Sequence, residues 1–192
     1  DFCLSRGLGD VYKRQMNERL RDVMSLYPNY TVIFTGHSMG AAVSSVACLD
    51  AVLSGTVDGQ MTQVYNFGQP RISNKAYADH VEAHISEYYR IVHNHDIWTH
   101  VPPCMWDFTP GHNFLGCSAH GFLFSFYPYH IGSEVLYNHD QTSYQICMKS
   151  EDSKCSNRFF WLNMKDHDVY LGVAFHEDWK TVSYTHLTLP TK

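Results

Sequence analysis

A pentapeptide in the first quarter of the chain, Gly-His-Ser-Met-Gly at residues 36–40, leaves few folds open. An apolar, β-branched run at residues 31–35 precedes it and predicts a strand, whereas the small residues at 41–47 predict a helix. The serine therefore lies on a sharp strand-to-helix turn. The glycines two residues to either side are expected to let the strand and the helix pass closely without Cβ clashes. A serine on such a turn, a nucleophile elbow, is typical of nucleophilic catalysis.

Helical and strand patterns alternate up to residue 93. Three β-branched or aromatic runs predict strands, at residues 30–35, 64–67 and 88–93. Apolar spacing and capping residues predict three helices, at residues 16–26, at 39–53, and from Asn74 to about 85. The second helix is apolar nearly all round, so we expect it to be well buried. Strands joined by crossover helices run parallel, which predicts the α/β class.

The second half of the sequence is less regular. Residues 104–129 form a long excursion rich in glycine and phenylalanine. Residues 133–137 and 144–148 read as two further edge strands. The aromatic segment 159–171 is predicted to become helical towards its end.

Charge and hydropathy exclude two classes of partner. The formal net charge is −5 at pH 7, from 14 basic and 19 acidic residues. Nucleic-acid binding needs basic patches, so this balance argues against it. No apolar run approaches the roughly 20 residues of a membrane span. We therefore expect neither a nucleic-acid partner nor a transmembrane segment.

Both ends of the chain read as sequence foreign to the protein. Residues 5–15 match a translated transposase adapter from a DNA sequencing library, and residues 182–191 match the partner adapter read on the opposite strand. Such segments are set aside before the fold is considered. We expect residues 1–15 and 182–192 to be adapter-derived and residues 16–181 to be natural sequence.

Five cysteines lie between these ends. Cys48 falls in the helix after the elbow and is predicted to be a buried thiol. The other four occupy loop-like sequence, where the simplest of three pairings joins Cys104 to Cys117 and Cys147 to Cys155. Their spacing is unlike that of C-x-x-C zinc sites, so we favour disulfides and an oxidising compartment.

A serine hydroxyl is a weak nucleophile and needs a histidine base, which a buried carboxylate orients. With a nucleophile elbow, the chain order is serine, carboxylate, histidine. Asp96 directly follows the third predicted strand, at the carboxyl edge of the sheet, and His167 lies far downstream. Both positions have rivals, which are Asp107 and Asp140 for the acid and His130, His139 and His176 for the base.

Histidines around Asp96 leave a metal site open as an alternative. His93 and His95 share one face of the predicted strand, and His100 follows shortly after. We favour the other interpretation, in which these are polar loop histidines beside the acid, and we expect no metal.

Six segments, taken together, resemble the class 3 lipases, the family of the secreted fungal triacylglycerol lipases. They appear in the family's order and span most of residues 16–181. They are TGHSMGAA at 35–42, YNFGQPRISN at 65–74, RIVHNHDIWTHVPP at 90–103, YHIGSEV at 129–135, CSN at 155–157 and DH at 166–167. The sequence is similar to the nematode members in particular.

This resemblance implies an α/β-hydrolase fold in which residues 16–181 are the carboxyl-terminal part of a mostly parallel sheet with crossover helices. It implies Ser38 as nucleophile, Asp96 as orienting acid and His167 as base. Gly36, His37 and Gly40 complete the elbow motif. The resemblance also implies the backbone N–H of Met39 as one oxyanion donor.

The resemblance implies further features outside these residues. It implies a disulfide between Cys147 and Cys155, and it assigns the second oxyanion donor and the lid to strands and loops that come before the elbow. Only one predicted helix and one strand precede Ser38, so we expect the N-terminal strands to be missing and this chain alone to lack activity. Aromatic residues of the excursion are expected to pack in the core or to contact an acyl chain; they are Phe108, Phe114, Phe122, Phe124, Phe126 and Tyr127.

The resemblance implies a lipase or carboxylesterase that hydrolyses lipid esters of the triacylglycerol type through an acyl-enzyme. We expect no cofactor, and a lipid–water interface as the physical partner. A glycosylation sequon at residues 29–31 and the predicted disulfides favour a secreted or a lysosomal location. The alternatives are a phospholipase A1, a feruloyl-type esterase and a non-catalytic lipase-like protein that binds lipid.

Overall fold

The computed structural model describes residues 2–103 and 128–175, with side chains from residue 13 onwards. The helices there are α1 (Phe2–Leu26), α2 (Met39–Leu53) and α3 (Lys75–His84). The sheet strands are β1 (Val32–His37), β2 (Thr62–Phe67), β3 (Glu87–His93), β4 (Ser133–Tyr137) and β5 (Tyr144–Cys147). A small hairpin of β6 (Val169–Tyr170) and β7 (Val173–Ala174) follows near the end of the described residues.

One five-stranded sheet organises these elements, in the order β1-β2-β3-β4-β5. The first four strands run parallel and β5 runs antiparallel to β4. The helices α2 and α3 make the crossovers between the first three strands. A mostly parallel sheet with crossover helices confirms the predicted α/β class.

Local sequence signals set several boundaries. The helix α2 has the predicted bounds, and the side chain of Asn74 caps α3 by accepting the N–H of Tyr77 at 2.9 Å. The prediction of two edge strands is wrong for β4, which lies between β3 and β5. Apolar alternation shows that one face of a strand is buried but does not show whether a partner pairs with each edge.

The prediction that α2 is well buried holds for one face of the helix and is wrong for the other. The residues Ala41, Cys48 and Ala51 are fully buried, whereas the side chains of Val43 and Val46 are 62% and 54% exposed. A helix that packs on one face of a sheet buries a single stripe, and apolar composition on its outer face does not supply a second packing partner.

The predicted helix towards residue 171 is also wrong. A short 3-10 turn at Lys165–His167 and the β6–β7 hairpin occupy this region. The backbone N–H of Asn163 donates instead to the carbonyl of His95 at 2.7 Å, and the Asn163 side chain donates to Asp166 at 3.1 Å. Asparagine and aspartate side chains compete in this way with helical hydrogen bonds.

The main apolar core lies between the sheet and its helices. It includes Cys48, Val64, Val81, Tyr88 and Ile131, all of which are buried. Cys48 is a free thiol, as predicted, and burial raises its pKa to about 12.

A second core cluster surrounds a disulfide beside β4. Cys147 and Cys155 form this disulfide, which confirms their predicted pairing, and they pack against Val92 and Leu136. The other predicted pair, Cys104 with Cys117, lies outside the described residues.

A buried ion pair fixes the loop that follows β3. The Arg71 guanidinium donates to both carboxylate oxygens of Glu151 at 3.1 Å, and both side chains are almost fully buried. The same guanidinium donates to the carbonyl of His100 at 2.8 Å. Removing one partner of such a pair typically costs about 3–5 kcal/mol, because a buried charge is left alone.

In the part of the chain that the structure describes, none of the helices has both the length and the apolar character that crossing a membrane requires. The helix α1 runs through residues 15 and 16 without a break. The predicted limits of the natural sequence, at residues 16 and 181, remain predictions.

Candidate active site

Ser38 occupies a constrained turn between β1 and α2. Its φ of 57° and ψ of −126° lie in a region that residues other than glycine rarely adopt. The Ser38 N–H donates to the carbonyl of Phe67 at 2.9 Å, which ties the turn to the end of β2. Backbone strain of this kind costs about 1–3 kcal/mol and persists where the surroundings fix it, often at functional sites.

The two glycines of the elbow motif play different parts. A Cβ atom on Gly36 would lie 2.4 Å from the carbonyl oxygen of Gly40, so the strand and the helix approach too closely there for any side chain. A Cβ atom on Gly40 would meet no heavy atom of a neighbouring element within 4 Å among the described residues. The expected steric need for glycine therefore holds at Gly36 and is wrong at Gly40, whose outer side is open.

Met39 is the first residue of α2 and directly follows the serine. The N–H groups of a first helical turn have no partner within their own helix, and the helix dipole adds a partial positive charge at this end. The backbone at Met39 therefore offers the chemistry that stabilises an oxyanion beside Ser38.

Asp96 is fully buried just beyond β3. Its Oδ1 accepts the backbone N–H of Trp98 at 2.8 Å, and its Oδ2 accepts from Nδ1 of His167 at 2.8 Å. A third donor, the hydroxyl of Tyr170, lies 2.5 Å from the same Oδ2. Donors on both oxygens hold the carboxylate in one orientation.

His167 ends the short 3-10 turn and is almost fully buried. Because Nδ1 faces the Asp96 carboxylate, the proton lies on Nδ1, and Nε2 keeps a lone pair that can accept a proton. The turn itself is held by the Asp166 carboxylate, which accepts the backbone N–H of His95 at 3.1 Å and the side chain of Asn94 at 2.9 Å.

Gly68 is a further requirement of this site that sequence reasoning missed. Its φ is +56°, and a Cβ atom there would lie 2.9 Å from Asp96 Oδ2 and 2.9 Å from both Nδ1 and Cε1 of His167. The acid and the imidazole therefore fill the space that a side chain would need. The available signal was a glycine placed directly after a predicted strand.

Two other contacts of the pair were also missed. Tyr170 reaches Asp96 from the hairpin, and burial raises the pKa of its phenol well above its usual range. Nε2 of His37 lies 2.8 Å from the carbonyl oxygen of His167. Sequence offered little signal for either residue, because both contacts join segments far apart in the chain.

The described rivals of Asp96 and His167 lie in other surroundings. Asp140 is exposed on the turn between β4 and β5, and its carboxylate accepts from Thr142. His130 is buried beside Glu151, where burial and the Arg90 charge lower its pKa to about 3. His139 is exposed. The remaining rivals, Asp107 and His176, lie outside the described residues.

The histidines considered for a metal site do not converge on one point. Nδ1 and Nε2 of His93 lie 3.0 Å from the carbonyls of Asp166 and His139, whereas His95 contacts the carbonyl of Trp161. His100 contacts the carbonyls of Asp96 and Ser156.

One different group brings three potential ligand atoms within 4.8 Å of one another, from His93, His139 and Asp166. Both ring nitrogens of His93 already face carbonyl oxygens, so a metal ion would have to displace existing hydrogen bonds. The rings of His93, His95 and His100 instead link neighbouring loops through carbonyl groups. The six aromatic residues predicted as core or acyl contacts lie outside the described residues.

Similar proteins place this arrangement in a family. The family model for class 3 lipases matches residues 4–106, more than half of the chain. Lipase ZK262.3 of Caenorhabditis elegans is 28% identical, over 87% of this chain and 53% of its own length. The lipase of Rhizomucor miehei is 30% identical, over 88% of this chain and 43% of its own length.

A solved structure resembles the chain as well. It is described as a triacylglycerol lipase whose catalytic centre is a serine protease triad, and it aligns with a TM-score of 0.64 and 29% identity, over 80% of this chain and 52% of that one. The chain spans about half the length of the curated relatives it matches. Its described sheet is part of an α/β-hydrolase fold. The chain belongs to the class 3 lipase family.

Proposed function

We propose that this protein is a serine hydrolase that cleaves carboxylic esters of lipids, of the triacylglycerol type. The observation that carries the proposal is the buried contact of 2.8 Å between His167 Nδ1 and Asp96 Oδ2, with Ser38 on the strained strand-to-helix turn before α2. His37, the residue before the serine, contacts His167, so the turn and the His–Asp pair are adjacent.

In the proposed reaction, Ser38 Oγ attacks the ester carbonyl carbon while His167 Nε2 takes the hydroxyl proton. The tetrahedral intermediate then collapses, and the imidazolium gives its proton to the departing alcohol. Water attacks the resulting acyl-enzyme with His167 again as base, and the fatty acid leaves as Ser38 regains its proton. Asp96 keeps the imidazole in the Nδ1–H tautomer and stabilises its charged form throughout.

The oxyanion of each tetrahedral intermediate needs donors that are already in place. The backbone N–H of Met39, at the N-terminus of α2, is the proposed first donor. One such donor is worth roughly 3 kcal/mol in the transition state. The second donor and the lid remain predicted for sequence before the elbow.

An apolar substrate is supported by a mostly apolar groove along α2, the helix that follows the elbow. This groove has a volume of about 770 Å³ and runs between α1 and the outer face of α2. Met16, Ala42, Val43, Val46, Ala47 and Ile72 line it, together with the ion pair of Lys13 and Asp50. The names of the relatives, which are lipases, favour the same substrate class. A lipid–water interface is the proposed physical partner.

An oxidising location is also part of the proposal. Cys147 and Cys155 form a disulfide, and disulfides persist in secreted proteins and in other oxidising compartments. We place the protein outside the cell, with the lysosome as the alternative.

A phosphonate probe and an ester substrate together test the proposed function. A fluorophosphonate that labels activated serines is expected to modify Ser38 of the whole protein and to abolish hydrolysis of p-nitrophenyl butyrate. Ser38→Ala is expected to lose the label and to lower kcat by at least ~10³-fold. Ser44→Ala, in the second turn of α2, serves as the matched control. Near-normal turnover of Ser38→Ala would reject the assignment, and binding of lipid without turnover would favour a non-catalytic binder.

A further inference from the structure

Two residues other than the predicted catalytic three contact the His167–Asp96 pair, and they are His37 and Tyr170. We propose that His37 and Tyr170 are positioning residues, which fix the base through its backbone and the acid through its carboxylate. This inference rests on the proposed function, because it concerns the same site.

The contact from His37 links the base to the nucleophile. A carbonyl oxygen can only accept, so Nε2 of His37 donates its proton to the carbonyl of His167 over 2.8 Å. Burial lowers the pKa of His37, which favours its neutral form with the proton on Nε2. The titratable groups facing it are His167, Asp96 and Asp168. Because His37 is bonded directly to Ser38, the backbones of nucleophile and base are joined through one side chain.

Ring packing fixes the orientation of His37. Its imidazole stacks on the ring of Phe175, with centroids 4.0 Å apart and planes 3° from parallel. The ring of His167 lies 4.5 Å away. An imidazole packed in this way has little rotational freedom, so its N–H remains aimed at the carbonyl.

The contact from Tyr170 fixes the acid. The buried phenol donates to Asp96 Oδ2, the same oxygen that accepts from His167, and it accepts the backbone N–H of His93 at 3.2 Å. Burial and the Asp96 charge raise the pKa of Tyr170 well above its usual range, so the phenol stays a donor at all working pH values. Glu134 is the other charged group that acts on it.

Two donors on one carboxylate oxygen restrict how the group can rotate. Asp96 Oδ1 is held by the N–H of Trp98, so each oxygen has a fixed donor besides His167. Tyr170 lies three residues after the base, and Phe175 lies five residues further on. Residues 169–175 therefore provide both the donor to Asp96 and the ring that packs on His37.

The first test separates a hydrogen bond from ring packing at His37. His37→Phe keeps an aromatic ring on Phe175 but cannot donate, whereas His37→Gln keeps a donor. We expect His37→Phe to lower kcat by about tenfold with KM unchanged, and His37→Gln to recover most of that loss. Equal kcat in His37→Phe and the unaltered protein, or no rescue by glutamine, would overturn this half of the proposal.

The second test uses the pH dependence of turnover. Tyr170→Phe removes the donor to Asp96, so the carboxylate charge acts more fully on His167 and favours the imidazolium. We expect a lower kcat and an acid limb of the kcat/KM profile that moves to higher pH. Tyr65→Phe, a substitution on β2, is the matched control and is expected to change neither. An unmoved acid limb in Tyr170→Phe contradicts the proposal.

A third measurement works without turnover. Proton NMR of the His167 Nδ1–H in the unaltered protein, His37→Phe and Tyr170→Phe reports the His–Asp contact directly, and thermal unfolding confirms that each variant is folded. A shifted or broadened resonance in both variants supports the positioning roles even if no ester is hydrolysed, in which case only the proposed function fails. An unchanged resonance in both folded variants rejects the inference.

Discussion

The sheet and the segment at residues 150–175 are held together by different forces. Parallel ladders and apolar side chains such as Val64 and Val81 stabilise the sheet region. In the described residues of the later segment, regular structure amounts to short 3-10 turns and a hairpin of two strands with two residues each. That segment is held to the sheet mainly by side chains that bond to backbone groups, as His93 and Arg90 do.

Both regions contribute to the candidate site. Ser38 and Asp96 follow β1 and β3, so the sheet positions them, whereas His167 comes from the irregular segment. Apolar packing tolerates the exchange of similar side chains. A buried carbonyl that loses its hydrogen-bond donor is left unpaired, which destabilises the structure. The two regions should therefore respond differently to substitution, in stability and in turnover.

The largest loss of turnover is expected from Asp96→Asn, because Asp96 follows β3 of the sheet and binds His167 of the later segment. An amide does not hold His167 in the Nδ1–H tautomer, so we expect kcat for a short-chain p-nitrophenyl ester to fall by ~10⁴-fold. Asp140→Asn, on the exposed β4–β5 turn, is the matched control and should retain full activity. A loss below about tenfold would show that Asp96 is not the partner of the base.

A smaller loss is expected from Gly68→Ala, which inserts a methyl group between the regions. The new Cβ would lie 2.9 Å from atoms of both Asp96 and His167. We expect kcat to fall by about 10–100-fold and the free energy of unfolding to fall by about 1–3 kcal/mol.

Gly55→Ala controls for the backbone cost of that change. Gly55 has a φ of +65°, and a Cβ there meets no heavy atom within 4 Å among the described residues. It should lose about 1 kcal/mol of stability and no activity. Equal kinetic effects at the two glycines would contradict the steric explanation.

Substitutions in each region sharpen the contrast further. Asp166→Ala removes the acceptor of the His95 N–H and of the Asn94 side chain. It should lower the free energy of unfolding by about 2–4 kcal/mol and kcat by about tenfold.

Val64→Ala in the sheet core should lower the free energy of unfolding by about 2 kcal/mol and leave kcat nearly unchanged. Urea unfolding and ester turnover check both. A Val64→Ala variant that loses as much kcat as Asp166→Ala would contradict the expected difference between the two regions.

The smallest effect on turnover is expected at the disulfide. Cys147 and Cys155 are separated by 8 residues in sequence, so the paired Cys→Ser variant should lose about 2–3 kcal/mol of stability. Because neither cysteine contacts the His167–Asp96 pair in the described contacts, kcat at 25 °C should stay within about twofold. Calorimetry measures the stability and initial rates measure kcat. A large drop in kcat in the folded variant would show that the second core cluster affects the site.

The same contrast explains how much the sequence predicts. Periodicity and capping are local, so the bounds of α2 and the cap at Asn74 follow from them. Ser38 and Asp96 were predicted because each follows a recognisable strand. The prediction of His167 depended on the resemblance to a family and on chain order.

Other features depend on contacts that no local pattern records. The turn at Lys165–His167 forms because Asn163 and Asp166 bond to residues 94 and 95, about 70 positions earlier in the chain. Tyr170 reads as one more aromatic residue until its hydroxyl is seen at Asp96. The exposed outer face of α2 was missed because apolar composition does not identify the surface that covers it.

The dihedral angles of Ser38 have a consequence for directed evolution. Glycine would relax the backbone at this position, so Ser38→Gly should raise the melting temperature while it removes the hydroxyl. A library screened for heat resistance alone would therefore enrich glycine at residue 38 and accumulate inactive clones. Each round of selection therefore has to measure hydrolysis as well, because the substitution that stabilises residue 38 also removes its hydroxyl.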